Sequence, residues 1–198
     1  MVTTYAGIVL AGGESKRYGK PKALESVDGI PFYKKAMDVL EPFVQHLVLV
    51  VHPSIKESIE PEHKGVTIIM DEPKIKGEGP LAGIYSGMKA YEASHYLVLA
   101  CDMPLMERRI YQQLVGIHAF LKSECNVIPC ADNHVQPLAA LYSSTSLPYI
   151  AGLLENEKRR LTDLLDHIVC AYVSYESKEM IACFKNVNRP PDYTEIFR

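Results

Sequence analysis

Residues 5–24 constrain this chain more than any other stretch. Ala6 to Ala11 carries no polar side chain, the pattern of a strand buried on both faces of a parallel sheet. It ends in Gly12-Gly13, where the lack of Cβ atoms lets backbone amides come close to a ligand. Four cations follow within seven residues, Lys16, Arg17, Lys20 and Lys22, interrupted by Gly19 and Pro21. A first strand running into a glycine turn and a basic loop is a polyphosphate-binding arrangement in α/β proteins. Two well-known versions are excluded. A P-loop needs four residues between its glycines and a hydroxyl after its lysine; here five separate Gly13 from Gly19, and Pro21 follows Lys20. The Gly-x-Gly-x-x-Gly dinucleotide fingerprint is absent.

Beyond the first loop, strand and helix patterns alternate. Helical spacing covers 31–43 and 81–93, the second led by Pro80 at a helix start, and returns over 108–122. Strand patterns cover 46–51, 66–70, 96–101 and 125–129, and 136–142 and 169–175 read as extended. The expected fold is α/β, a Rossmann-like three-layer sandwich around a mostly parallel central sheet. It is read as a single domain over 1–198, with no linker, internal repeat or low-complexity tract. In such folds ligands collect outside the carboxyl ends of the strands. Gly12, Asp71, Asp102 and the Gly79-Pro80 turn all follow expected strands, so the pattern places them on one edge.

Asp102 ends an uncharged strand, and Pro104 keeps the chain from continuing into a helix. A carboxylate there suits a hard cation held against phosphate oxygens. By position alone it suits an Asx turn equally. Asp71 likewise reads as a nucleoside contact or as a turn former before Glu72-Pro73. Cys101 reads as a small buried filler. None of the seven histidines has metal-ligand spacing. The formal net charge of -3 gives no global field for nucleic acid, so no nucleic-acid partner is expected. Five cysteines without a Cys-x-x-Cys pair suit a reducing compartment. No signal peptide or bilayer-length apolar run is evident; the expectation is a cytoplasmic protein without a membrane partner.

The motif Leu-Ala-Gly-Gly-x-Ser-x-Arg-x-Gly-x-x-Lys-Ala-Leu, from Leu10 to Leu24, resembles the signature loop of nucleotidyltransferases, most closely the molybdenum cofactor guanylyltransferase family. Gly79–Ile84, Cys101–Leu105, Gln136–Tyr142 and Phe184–Asp192 resemble further segments of that family in the same order. The resemblance implies transfer of GMP from GTP to the terminal phosphate of molybdopterin, with Mg2+ as cofactor and pyrophosphate as second product. It implies catalytic roles for Arg17, Lys22 and Asp102, with Asp102 as metal ligand. GTP would meet Leu10, Ala11, Gly12, Gly13, Lys22, Asp71 and Asp102; the acceptor would meet Gly83, Gln136, Asn186 and Asn188. Asn186 and Asn188, two apart on an extended stretch, would point to one side. Other cofactor-synthesis proteins and apo-molybdoenzymes are the implied protein partners. Lys16 and Lys20 are read as solvated loop cations, and Arg159-Arg160 as a solvated pair at a helix start.

Several positions depart from the family pattern. Tyr18 stands where Met is usual, Lys20-Pro21 replaces an acidic residue before the motif lysine, and Arg189 interrupts the usual Asn-Thr-Pro run. His134-Val135 lacks the basic group many relatives carry. Two other readings are open: a nucleotidyltransferase using CTP or a sugar phosphate, and a non-catalytic GTP-binding protein on the same scaffold. Ala11-Gly12-Gly13 and the Gly79–Gly83 turn argue against the first; retention of Arg17, Lys22 and Asp102 argues against the second.

Overall fold

The computed structural model describes residues 3–12, 21–59, 65–70, 79–121, 124–188 and 191–192. Gly13, Arg17 and Asp71 lie outside the described residues. The strands are β1 Tyr5–Ala11, β2 Ser26–Val27, β3 Ile30–Pro31, β4 His46–Val51, β5 Val66–Ile69, β6 His95–Ala100, β7 Asn126–Ala131, β8 His134–Val135, β9 Ala139–Ser143 and β10 Cys170–Tyr175. The helices are α1 Phe32–Leu40, α2 Pro80–Ala90, α3 Arg108–Leu121, α4 Leu147–Glu155, α5 Leu161–Leu165 and α6 Lys178–Ala182.

Among the described residues an eight-stranded sheet runs β10-β7-β9-β6-β1-β4-β5, with β8 paired to β7. Pairing is parallel between β1 and both β4 and β6, between β4 and β5, and between β7 and β10. β9 runs antiparallel between β6 and β7. The expected α/β sandwich with a mostly parallel sheet is therefore what forms. β9 is antiparallel because β8 and the turn after it return the chain directly from β7, without a crossover helix.

The side-chain period of two divides β1 between two cores. Val9 and Ala11 join α1, α3 and α6-side residues, while Ile8 and Leu10 face α2, α4 and α5. Both neighbours of β1 are themselves buried on both faces, which is why these segments read as unbroken apolar runs. Two tight turns carry left-handed residues: Asp28-Gly29 between β2 and β3, and Asp132-Asn133 between β7 and β8. Asp-Gly is a strong hairpin signal, and the sequence analysis passed over it. It also passed over α4 and α6, whereas the helix start read at Arg159-Arg160 is where α5 begins.

Helix α2 lies close against β1. A Cβ built on Gly87 would stand 2.8 Å from Ile8 Cγ2 and 2.9 Å from its Cδ1, and Ile8 is fully buried. Gly87→Ala should therefore destabilise the fold by about 1–2 kcal/mol, overpacking outweighing the roughly 1 kcal/mol gain in helix propensity. Urea denaturation checks this through a lower midpoint at unchanged slope.

The opposite edge of the sheet holds a buried histidine pair. The His95 and His118 rings lie 4.0 Å apart, Tyr5 Oη is 2.8 Å from His118 Nδ1, and Glu124 stands 4.0 Å from His95 Nε2. Burial, reinforced by His118 and opposed by Glu124, lowers the His95 pKa to about 4. An unfolded histidine titrates near 6.5, so the unfolded chain binds the extra proton first. Stability should be unaffected by His95 above about pH 6.5 and fall as pH drops toward 4, by on the order of 2–3 kcal/mol. The difference between wild-type and His95→Leu urea curves over that window measures the effect; a pH-independent difference would refute it.

Candidate active site

Parallel pairing aligns the carboxyl ends of β1 and β6. Leu10 pairs with Ala100, and Cys101 N–H donates to the Leu10 carbonyl at 3.1 Å. Gly12, exposed, and Asp102 therefore leave the sheet on the same edge, one strand apart. Ala100 N–H donates to the Leu138 carbonyl at 2.9 Å, which brings the start of β9 to this edge as well. Gln136 stands there in the turn after β8, its N–H on the Pro129 carbonyl at 2.8 Å and its Nε2 on the His134 carbonyl at 3.3 Å.

Asp102 sits in a turn closed by Met103 N–H on the Ala100 carbonyl at 3.3 Å. Its side chain does not bond that turn. Oδ2 accepts from Lys22 Nζ at 2.9 Å, while Oδ1 is buried with no hydrogen-bond partner among the described residues. The Asx-turn reading thus does not describe this carboxylate. The pair is largely shielded, with side-chain exposures of 17% for Lys22 and 19% for Asp102. Lys22 opens a single 3-10 turn, Lys22–Leu24, and Pro21 precedes it with φ -61°. Pro21 thus fixes the backbone just before the lysine. Buried Ala23 anchors the turn.

A third residue arrives from the far end of the chain. Lys22 Nζ also donates to Asn188 Oδ1, at 3.1 Å. Val187 is fully buried and its N–H donates to the Asp102 carbonyl at 2.8 Å. Helix α6 holds this segment in place: Arg109, at the start of α3, reaches Glu107 at 2.8 Å and Glu179 of α6 at 3.2 Å. Lys22, Asp102 and Asn188, read as site residues from separate motifs, are thus joined at one ammonium group. Asn186 is exposed and does not share that contact, so the two asparagines differ in what they meet. Asp192, within a segment quoted for the resemblance but given no role, accepts from Asn188 N–H at 2.9 Å.

Other expected residues are distributed along the same edge. Gly79 caps α2 with φ 83°, a conformation that favours glycine, and Pro80 takes the first helical position. Gly83 is buried one turn in, its N–H on the Gly79 carbonyl at 3.4 Å. Ala11 and Leu10 are buried within β1. Cys101 is buried, and that burial pushes its thiol up to about 12, with Asp102 adding to the shift. It is a protonated filler near neutral pH, not a nucleophile.

A cation fits beside Asp102: a buried carboxylate oxygen without a partner is the donor a hard metal takes. The described residues contain no group of three or more His, Cys, Asp or Glu side chains able to hold a metal.

A mostly parallel sheet that gathers Gly12, a lysine and a carboxylate on its carboxyl edge is an α/β arrangement suited to an anionic ligand. The MobA-like NTP transferase domain family matches residues 7–171, and the chain belongs to that family. A Bacillus cereus protein named "Probable molybdenum cofactor guanylyltransferase" is 37% identical over 195 residues, covering 98% of this chain and 96% of the relative. The crystal structure of molybdopterin-guanine dinucleotide biosynthesis protein A from Archaeoglobus fulgidus has a TM-score of 0.78 at 22% identity, covering 98% of this chain and 96% of that one. The structure of 4-diphosphocytidyl-2C-methyl-D-erythritol synthase from Anaerococcus prevotii has a TM-score of 0.76 at 11% identity, covering 98% and 94%. The fold is common to these proteins of different names, so it does not select the nucleotide base.

The Lys22–Asp102 pair should show strong coupling. A double-mutant cycle with Lys22→Met and Asp102→Asn is expected to give about 1–3 kcal/mol by urea denaturation. A value near zero would mean the two groups are solvated independently.

Proposed function

We propose that the protein transfers GMP from GTP to the terminal phosphate of molybdenum-loaded molybdopterin, releasing pyrophosphate. The observation that carries the reading is the meeting of Lys22, Asp102 and Asn188 from three distant motifs, in a chain 37% identical over nearly its whole length to a relative named for that activity. The acceptor phosphate attacks the α-phosphorus, a new P–O bond forms, and the bond to the β-phosphate oxygen breaks. A phosphomonoester with a second pKa of about 6 is already ionised near neutral pH, so no protein base is needed. The neutral Cys101 thiol fits direct transfer without a covalent enzyme intermediate.

The chemical difficulty is charge. Two polyanions must meet, and negative charge must leave on pyrophosphate. Lys22 supplies a compact positive charge held from two sides, and Arg17 would add a planar fork for two phosphate oxygens. Mg2+ at Asp102, when bound, would neutralise the triphosphate and stabilise the leaving group. Leu10, Ala11, Gly12, Gly13 and Asp71 are assigned to the nucleoside side. Gly83, Gln136 and Asn186 are assigned to the acceptor side, and Asn188 stands between. At the start of α2, the N–H groups of Leu81 and Ala82 lack acceptors within the helix, a suitable place for phosphate.

GTP is favoured over CTP by Ala11-Gly12-Gly13 and by the Gly79–Gly83 turn, features of the guanylyl branch of this family. No helix among the described residues is long and apolar enough to cross a membrane, in keeping with a cytoplasmic role. Delivery to apo-molybdoenzymes or other cofactor-synthesis proteins completes the reading.

Transfer of label from α-labelled GTP to molybdate-loaded molybdopterin in the presence of Mg2+ tests it. Labelled dinucleotide is expected from GTP and not from CTP. Asp102→Ala should lower turnover at least about a hundredfold in a protein that melts as a folded chain. Product from CTP alone would reassign the base, and unchanged turnover in Asp102→Ala would remove the metal assignment.

A further inference from the structure

The segment after α6 touches the active edge through its backbone and through one side chain. Val187 N–H holds the Asp102 carbonyl at 2.8 Å, and Asn188 Oδ1 takes a hydrogen bond from Lys22 Nζ at 3.1 Å. On its other side Asn188 is itself held, its N–H donating to Asp192 Oδ2 at 2.9 Å. A relay therefore runs from Asp192 through Asn188 to Lys22 and on to Asp102, whose Oδ2 lies 2.9 Å from the same ammonium. Each member is fixed by a different part of the chain, 80 residues separating Lys22 from Asp102 and 166 separating it from Asn188.

A lysine ammonium is a point charge on a flexible stem and has no planar geometry to orient it. Asp102 draws Lys22 onto a carboxylate that a metal would also seek. A second, neutral acceptor holds the ammonium from another direction without adding negative charge beside the triphosphate. We infer that Asn188 is a positioning residue that acts through Lys22 in nucleotide binding and transfer, and that Asp192 positions Asn188. This rests on the preceding reading of Lys22 as the triphosphate contact. It departs from the acceptor-contact role that the family resemblance implies for Asn188, and it gives Asp192 a role.

The test compares GTP binding in Mg2+ by calorimetry with steady-state kinetics for GTP and for molybdopterin. Asn188→Ala is expected to weaken GTP binding about tenfold and to raise the GTP KM to match, with the molybdopterin KM within about twofold of wild type. Asp192→Ala should move the same quantities in the same direction. Asp192→Asn keeps an oxygen that can accept from the Asn188 N–H and should return close to wild type. If thermal melting shows that Asn188→Ala is poorly folded, Asn188→Gln decides. It keeps the amide but moves its oxygen by one methylene, and the same loss of GTP affinity is expected. A raised molybdopterin KM with GTP affinity unchanged would overturn the inference in favour of direct acceptor contact. Equal losses in Asp192→Asn and Asp192→Ala would overturn the part assigned to Asp192. The binding comparison needs no acceptor, so it decides the positioning role whether or not transfer to molybdopterin is observed.

Discussion

Strand β1, hydrogen-bonded on both sides and packed on both faces, is the constraint on which the remaining geometry depends. Its parallel register with β4 and β6 sets the level at which three strand ends reach the surface. Because Leu10 pairs with Ala100, Gly12 after β1 and the carboxylate after β6 leave the sheet side by side. No flexible loop has to bring them together. The small residues Gly7 and Gly87 allow this tight packing: a Cβ on Gly7 would lie 2.5 Å from Leu47 Cδ2, and one on Gly87 would meet Ile8. Close apposition of sheet and helices thus carries over directly into the precision of the edge.

Charge is arranged on that scaffold with opposite consequences at its two ends. At the carboxyl edge, a partly buried ammonium is shared between a carboxylate and an amide, and one carboxylate oxygen has no hydrogen-bond partner among the described residues. Such a group is costly to keep unless a ligand uses it. At the amino edge, by contrast, the His95 imidazole is held neutral by burial, with His118 beside it. One end keeps a charge pair near the surface; the other holds its imidazole neutral. The division agrees with the rule that ligands of parallel sheets gather beyond the carboxyl ends of the strands.

The parts of this architecture with strong local signals were legible in the sequence. β4 was read at His46–Val51 from its Val/Leu run, and α2 was read from Pro80 onward because proline suits a helix start. The doubly buried strands were legible because apolar runs of that length have few other uses. The antiparallel course of β9 was not legible, since extended residues carry no direction. The Asp132-Asn133 turn that dictates it lies just upstream. Helices α5 and α6, of five residues each, are too short to show a period. At the site, Lys22 and Asp102 could be named from motif and strand-end position. That they touch each other and Asn188 is a long-range fact no local pattern encodes.

The same limit explains why the asparagines were read as an equivalent pair. Alternation along an extended segment predicts that Asn186 and Asn188 share a side, but sharing a side does not mean sharing a partner. Burial of Val187 and its N–H bond to Asp102 pin the backbone between them, so the segment is anchored at its centre. The residue after that anchor reaches Lys22, and the residue before it remains in solvent. One buried valine thus separates two identical side chains into different environments. The C-terminal segment consequently reaches the lysine assigned to the triphosphate in the proposed function, although the nucleotide and acceptor halves were expected to divide along the chain. Under the proposed function, which brings two polyanions together, a displacement of the C-terminal segment would be felt at once by the Lys22 ammonium.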